Sequence, residues 1–137
     1  MLQTITDVGN SWYAAHGSVA PRMGVGDISR PGGGPFPPHD NHQNGLDVDV
    51  RYIRNDGIEA GLNLSGNTDA YSRELTLELI RYWVATGEVD QVYVDPAAGI
   101  SSTDISGATL IIDNSGGHVD HFHIRLRDPD GPDSNNC

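Results

Sequence analysis

Hydrophobic residues recur along this chain with two different periods, and each period predicts a type of element. Ile5, Val8 and Trp12 fall on one helical face, which predicts an amphipathic helix over residues 2–16 with Gly17 as its stop. Residues 69–86 predict a second, mostly buried helix. There Leu75, Leu77, Leu79, Ile80, Tyr82 and Trp83 leave only Glu74, Glu78 and Arg81 as a polar stripe. Asp69 is the expected N-cap and Gly87 the residue just past the last turn. Elsewhere the period changes to two. In 46–53, Leu46, Val48 and Val50 alternate with Asp47, Asp49 and Arg51. In 121–127, Phe122, Ile124 and Leu126 alternate with His121, His123, Arg125 and Arg127. Both segments read as half-buried strands, with one apolar face and one polar face turned outward.

Residues 22–29, 91–94 and 108–112 read as further strands, and Asn55-Asp56-Gly57 as a turn. The run Pro31-Gly-Gly-Gly-Pro-Phe-Pro-Pro38 is neither helix nor central strand, because proline lacks the N–H and glycine adds no packing. It is expected to be an ordered loop. Helices and strands alternate without a regular βαβ rhythm, which predicts an α+β fold: a small central antiparallel sheet with flanking helices and long loops. With 137 residues the chain suits one domain. Residues 1–127 are expected to form it, with 128–137 as a polar tail.

Charge and cysteine content narrow the chemistry. The net charge of −11 excludes a basic nucleic-acid footprint and a polybasic membrane patch. No apolar run approaches the roughly 20 residues of a membrane span, so no membrane insertion is expected. Residues 1–13 lack the basic start and apolar stretch of a signal peptide. Cys137 stands alone, so no internal disulfide and no cysteine-based zinc site is expected. Any metal must be held by His, Asp and Glu.

Histidines cluster where such a site would need them. His121-Phe-His123 on a strand puts both rings on one side, about 7 Å apart at the backbone. His42 precedes the first alternating strand, and Gly45 allows a tight turn between it and Asp49. If the two strands pair, His42, Asp49 and His123 converge. Two imidazoles and one carboxylate make a three-ligand zinc set with a fourth position open for water. Asp47 shares the face of Asp49, and either holds a ligand histidine from behind or is a solvated strand residue. Arg51 and Arg125 share the site faces too; they either bind substrate carboxylates or, as the favoured reading, balance local aspartates. His16 reads as a helix C-terminal or surface residue, and Asp104 and Asp113 as ordinary loop acids.

The runs Gly26-Asp-Ile-Ser-Arg-Pro-Gly-Gly-Gly-Pro-Phe-Pro-Pro-His39-Asp-Asn-His42-Gln-Asn-Gly-Leu-Asp-Val-Asp49 and His118-Val-Asp-His121-Phe-His123-Ile-Arg-Leu-Arg resemble the penicillin-insensitive murein endopeptidases. Those belong to the wider group of lysostaphin-type, D-Ala-D-Ala-type and hedgehog-like zinc domains. The resemblance implies Zn2+ as cofactor, with His42, Asp49 and His123 as its ligands. It implies His121 as general base, and His118 and His39 as further active-site histidines. It also implies peptide cross-links of peptidoglycan as substrate, through hydrolysis of the D-alanyl–meso-diaminopimelyl bond. His118 is the candidate donor to the developing oxyanion. It has the opposite strand parity to His121, so the chain must bend around Val119-Asp120 for it to enter the site.

The absence of a wall-binding domain and of a disulfide pair suggests an endolysin released from the cytoplasm by a holin, or a toxin-like effector. Such an enzyme would act on the bacterial cell wall from the periplasmic side, and a monomer is expected. Two alternatives stand beside the endopeptidase: a D,D-carboxypeptidase or dipeptidase on the same fold, and a non-catalytic zinc-binding module. A binding module has no need of a general base, so His121 beside His123 argues against it.

Overall fold

The structure is a computed structural model that describes residues 2–17, 20–28, 46–66 and 68–127. His39, His42, the glycine- and proline-rich loop and the tail at 128–137 lie outside the described residues. Helix α1 spans Leu2–His16 and buries Val8 and Trp12, with Ile5 packed against the core. Gly17 ends it with φ +57°, and its N–H reaches the Tyr13 carbonyl at 2.6 Å. A positive φ there favours glycine, because a Cβ would crowd the backbone. Helix α2 spans Arg73–Ala85. Its Leu79, Ile80 and Trp83 are fully buried, while Glu74 and Arg81 stay exposed, as the periodicity requires. The two helices meet where the Trp12 ring stands edge-on to Tyr82 and His16 Nε2 contacts Glu78 at 2.5 Å.

The N-cap of α2 is Ser72, not Asp69. Ser72 Oγ accepts from the Leu75 N–H at 3.1 Å. The shift is caused by pairing with the segment just past β2, at Ile53 and Arg54. Tyr71 forms an isolated antiparallel bridge with Arg54, and the Ser72 N–H donates to the Ile53 carbonyl at 2.9 Å. Asp69 and Ala70 form a turn closed by the Tyr71 N–H on the Thr68 carbonyl at 3.0 Å, the bridge holds Tyr71 and Ser72 out of the helix, and serine is as good a cap as aspartate.

Strands β1 (Val25–Ile28), β2 (Asp47–Arg51), β3 (Val89–Val94), β4 (Thr109–Ile112) and β5 (His121–Leu126) form one sheet in the order β1-β2-β5-β3-β4. The α+β class holds, and the sheet is mixed rather than wholly antiparallel, because β3 and β4 pair in parallel. Residues 95–108, which include short 3-10 turns at Pro96–Ala98 and Ser102–Asp104, are long enough for the crossover that parallel pairing demands.

One face of the central strands carries Val48, Val50, Phe122 and Ile124, all fully buried with Val92 and Val94 in the core that α2 completes. The other face of β2 and β5 is polar, yet it too is largely buried. This corrects the expectation of an outward polar face. Asp47 faces Arg125, Asp49 faces His123 and Arg51 faces His121. Each acid on one strand therefore meets a base on the other, which offsets the cost of removing them from water.

Among the described residues, no helix is long and apolar enough to cross a membrane. The exit of β2 is also tied to the body of α2 by a buried hydrogen bond: the Ile53 N–H donates to Thr76 Oγ1 at 2.9 Å. Thr76→Val keeps the shape and removes the acceptor. It should cost about 1–3 kcal/mol, read as a lower urea midpoint at unchanged slope. A midpoint equal to the parent's would show that this contact does not join the two elements.

Candidate active site

Three histidines, four aspartates and two tyrosines surround the β2–β5 pairing. Asp49 and His123 are direct cross-strand partners, so the ladder brings them together. Asp49 Oδ1 lies 3.7 Å from His123 Nδ1 and 3.4 Å from His121 Nε2. On the far side of the ring, His123 Nε2 bonds Asp47 Oδ1 at 2.7 Å. Asp47 also faces Arg125, whose Nη1 stands 3.4 Å from Oδ2. Exposure is 0% for Asp47, 2% for His123, 5% for Asp49 and 8% for Arg125. The open reading of Asp47 thus resolves: it is not a solvated strand residue, and it holds His123 from behind. Arg125 balances Asp47, the favoured of the two readings for that residue.

His121 is anchored differently. Its Nδ1 contacts Asp120 Oδ1 at 2.6 Å, on an exposed carboxylate, and its Nε2 points to Asp49. His118 lies ahead of β5, in the turn that bends at Val119-Asp120. The bend brings it in despite its parity: its ring centroid is 5.1 Å from that of His121 and 5.6 Å from that of His123. Two contacts hold this turn. Tyr52 Oη donates to the His118 carbonyl at 2.8 Å, and the Leu64 N–H donates to the Val119 carbonyl at 2.7 Å. Tyr52 Oη also accepts from the Asp95 N–H at 3.1 Å. Burial pushes the Tyr52 hydroxyl well above its usual range, so it stays protonated and can donate.

His118 Nδ1 contacts Asp113 Oδ2 at 2.6 Å, and Tyr93 stacks on the ring with 16° between the planes. Burial lowers the pKa of His118, which the bond to Asp113 partly opposes. The backbone N–H and hydroxyl of Ser115 hold the Asp113 carboxyl below its usual value, with a smaller effect from His118. Reading Asp113 as an ordinary loop acid therefore understates it. Tyr93 and Asp113 were missed because β3 and the end of β4 reach the site only through strand order. A lone aspartate after a strand carries no signal of that. His16 stays remote from this group: it packs on Trp12, with ring centroids 4.1 Å apart, and contacts Glu78.

Two protein donors on one tetrahedral zinc, at bond lengths of about 2.0–2.2 Å, stand about 3.4 Å apart. Asp49 Oδ1 and His123 Nδ1 are close to that spacing, and carboxylate oxygen with imidazole nitrogen is a donor set zinc accepts. Among the described residues, no group of three His, Cys, Asp or Glu is arranged to hold a metal ion. His42, the third ligand implied by the sequence, lies outside them, as does His39.

The chain belongs to the penicillin-insensitive murein endopeptidase family, whose model matches residues 1–137. It is also similar to a protein of Haemophilus influenzae named penicillin-insensitive murein endopeptidase. The two are 30% identical over 147 aligned positions, which cover 94% of this chain and 50% of the relative. The chain thus spans about half the length of that relative.

The buried carboxylate behind His123 makes a stability test possible. Asp47→Ala removes the anion shared by a buried imidazole and a buried guanidinium, and should cost about 3 kcal/mol or more in urea unfolding. A loss within about 0.5 kcal/mol, the range of ordinary surface changes, would show that Asp47 does not hold this face together.

Proposed function

We propose that the protein is a zinc-dependent peptidoglycan endopeptidase that hydrolyses the D-alanyl–meso-diaminopimelyl cross-link, acting on the wall as an endolysin-type lytic enzyme. The observation that carries this reading is the opposed anchoring of neighbouring histidines. His123 is held at Nε2 by Asp47 and turns Nδ1 to Asp49, whereas His121 is held at Nδ1 by Asp120 and turns Nε2 to the same Asp49 oxygen. A carboxylate or carbonyl on one ring nitrogen selects which nitrogen is left for a metal or a proton. Family membership supports the same reading.

His42, Asp49 and His123 would hold the zinc, which supplies Lewis-acid polarisation of the scissile carbonyl and makes water more acidic. The remaining work falls to the protein's own side chains. Asp120 accepts from His121 Nδ1–H, so the Nε2 lone pair is free to take a proton from the attacking water. The same nitrogen returns that proton to the leaving amine. Asp113 fixes His118 in the same sense, with Nε2 as the ring's other edge. His118 donates from Nε2 only as the imidazolium, the form that Asp113 favours and burial opposes. It can then stabilise negative charge developing on the carbonyl oxygen. Tyr93 stacks on this ring and tilts over His123, limiting the motion of both.

Purified cross-linked meso-diaminopimelate peptidoglycan, digested with zinc-loaded protein and read by mass spectrometry, tests the proposal. Conversion of dimers to monomers that a chelator abolishes is the expected result. Release of terminal D-alanine alone would replace the endopeptidase by a carboxypeptidase. No cleavage with zinc bound would leave the non-catalytic zinc module. His121→Ala should retain zinc, measured by metal analysis, and lose about 100- to 10,000-fold in rate. Undiminished activity in that variant would remove His121 from the role of base.

A further inference from the structure

Arg51 differs from the other arginines among the described residues. Arg22 pairs with Glu59, Arg54 with Asp56, Arg73 with Asp104, Arg125 with Asp47 and Arg127 with Asp90. Arg81 gives two N–H groups to the Asp104 carbonyl, at 3.2 and 2.8 Å. Arg51 gives one long contact, Nη1 to the Glu59 carbonyl at 3.4 Å, and no carboxylate among the described residues lies within ion-pair distance of it. The Glu59 carboxylate itself is engaged by Arg22, and Arg51 adds only the least of the effects that hold it below its usual value.

The position of Arg51 is built rather than incidental. Its N–H donates to the Gly24 carbonyl at 2.9 Å, and on its other side it is the cross-strand partner of His121. Gly24, Arg51 and His121 thus form one row across the sheet. The Arg51 guanidinium lies against Gly24, where a Cβ would sit 2.0 Å from Nε and 2.4 Å from Nη2. A side chain at this position would displace the guanidinium from where it lies. Arg51 is two residues from Asp49 on the same strand face, and is half-buried. A planar, half-buried guanidinium with most of its donors uncommitted, on the strand that pairs with the candidate base and reaching over Gly24, is suited to a carboxylate.

We propose that Arg51 binds a substrate carboxylate, the one the diaminopimelyl residue carries on the carbon that bears the scissile nitrogen. The assignment rests on the endopeptidase reading above. The sheet sets the span: Arg51 leaves β2 beside its cross-strand partner His121, and its guanidinium reaches over Gly24, about two strand spacings, roughly 10 Å, from the β5 backbone, a gap that a carboxylate next to the bond His121 serves can bridge. In this cross-link that carboxylate is separated from the scissile nitrogen by a single carbon.

The test uses two cross-linked dimers, with this carboxylate free or amidated, and the two corresponding diaminopimelyl monomers. The parent should cleave the free-acid dimer with the higher kcat/KM. By calorimetry it should bind the free-acid monomer about tenfold or more tightly than the amide. Arg51→Gln should lower kcat/KM on the free acid about 10- to 100-fold, leave the amidated dimer nearly unchanged, and bind both monomers alike. Gly24→Ala keeps the charge but pushes the flexible guanidinium aside, and should erode the same preference while thermal unfolding stays near the parent's. Equal losses on both dimers, or a parent indifferent to amidation in cleavage and binding, would overturn the Arg51 assignment and leave the endopeptidase intact. Cleavage of neither dimer, with the free-acid preference in binding still present and lost in Arg51→Gln, would keep the carboxylate site and overturn the endopeptidase reading.

Discussion

Three cross-strand rows join β2 to β5 on one face: Asp47 with Arg125, Asp49 with His123, and Arg51 with His121. Because successive side chains alternate, the same register puts Val48 opposite Ile124 and Val50 opposite Phe122 in the core. A slip by one residue would drive the aspartates and histidines into the apolar layer and lift the valines out of it. The hydrophobic core and the site are therefore two consequences of one register. The burial that stabilises the fold also fixes the distance between Asp49 and His123.

Burying so many ionisable groups demands that each find a partner. Asp47 answers both His123 and Arg125, Asp113 answers His118, and Asp120 answers His121. Each pairing also sets which imidazole nitrogen faces the centre of the site. Charge neutralisation and chemical orientation are thus achieved by the same carboxylates. The one buried histidine whose ring is reversed, His123, is the one whose supporting aspartate lies on β2 rather than beside its own strand.

Around this centre, other elements act as supports. Tyr52, at the end of β2, holds the His118 carbonyl and the Asp95 N–H at once, so a core tyrosine shapes the bend that the active-site turn requires. Tyr93 on β3, the partner of His123 across the sheet, lies against both buried rings. The mixed sheet order is what puts β3 there. Gly24, beside the edge strand, leaves room for the Arg51 side chain to lie flat.

Alternation and helical spacing were sufficient to predict both helices, the two central strands and the faces that enter the core, because burial of apolar area depends on period alone. The clustered His118-Val-Asp-His121-Phe-His123 and Asp47-Val-Asp49 runs marked the candidate site for the same reason: residues two apart on a strand share a face. Three features depended on the tertiary structure. The polar face of β2 and β5 is buried, which a pattern of charges on a strand cannot show. Asp113 and Tyr93 join the site from β4 and β3, which only the strand order decides. Ser72 rather than Asp69 caps α2, because a bridge between Arg54 and Tyr71 keeps Tyr71 out of the helix. In each case the deciding interaction links residues far apart in the chain, and local sequence carries no record of which distant group will arrive.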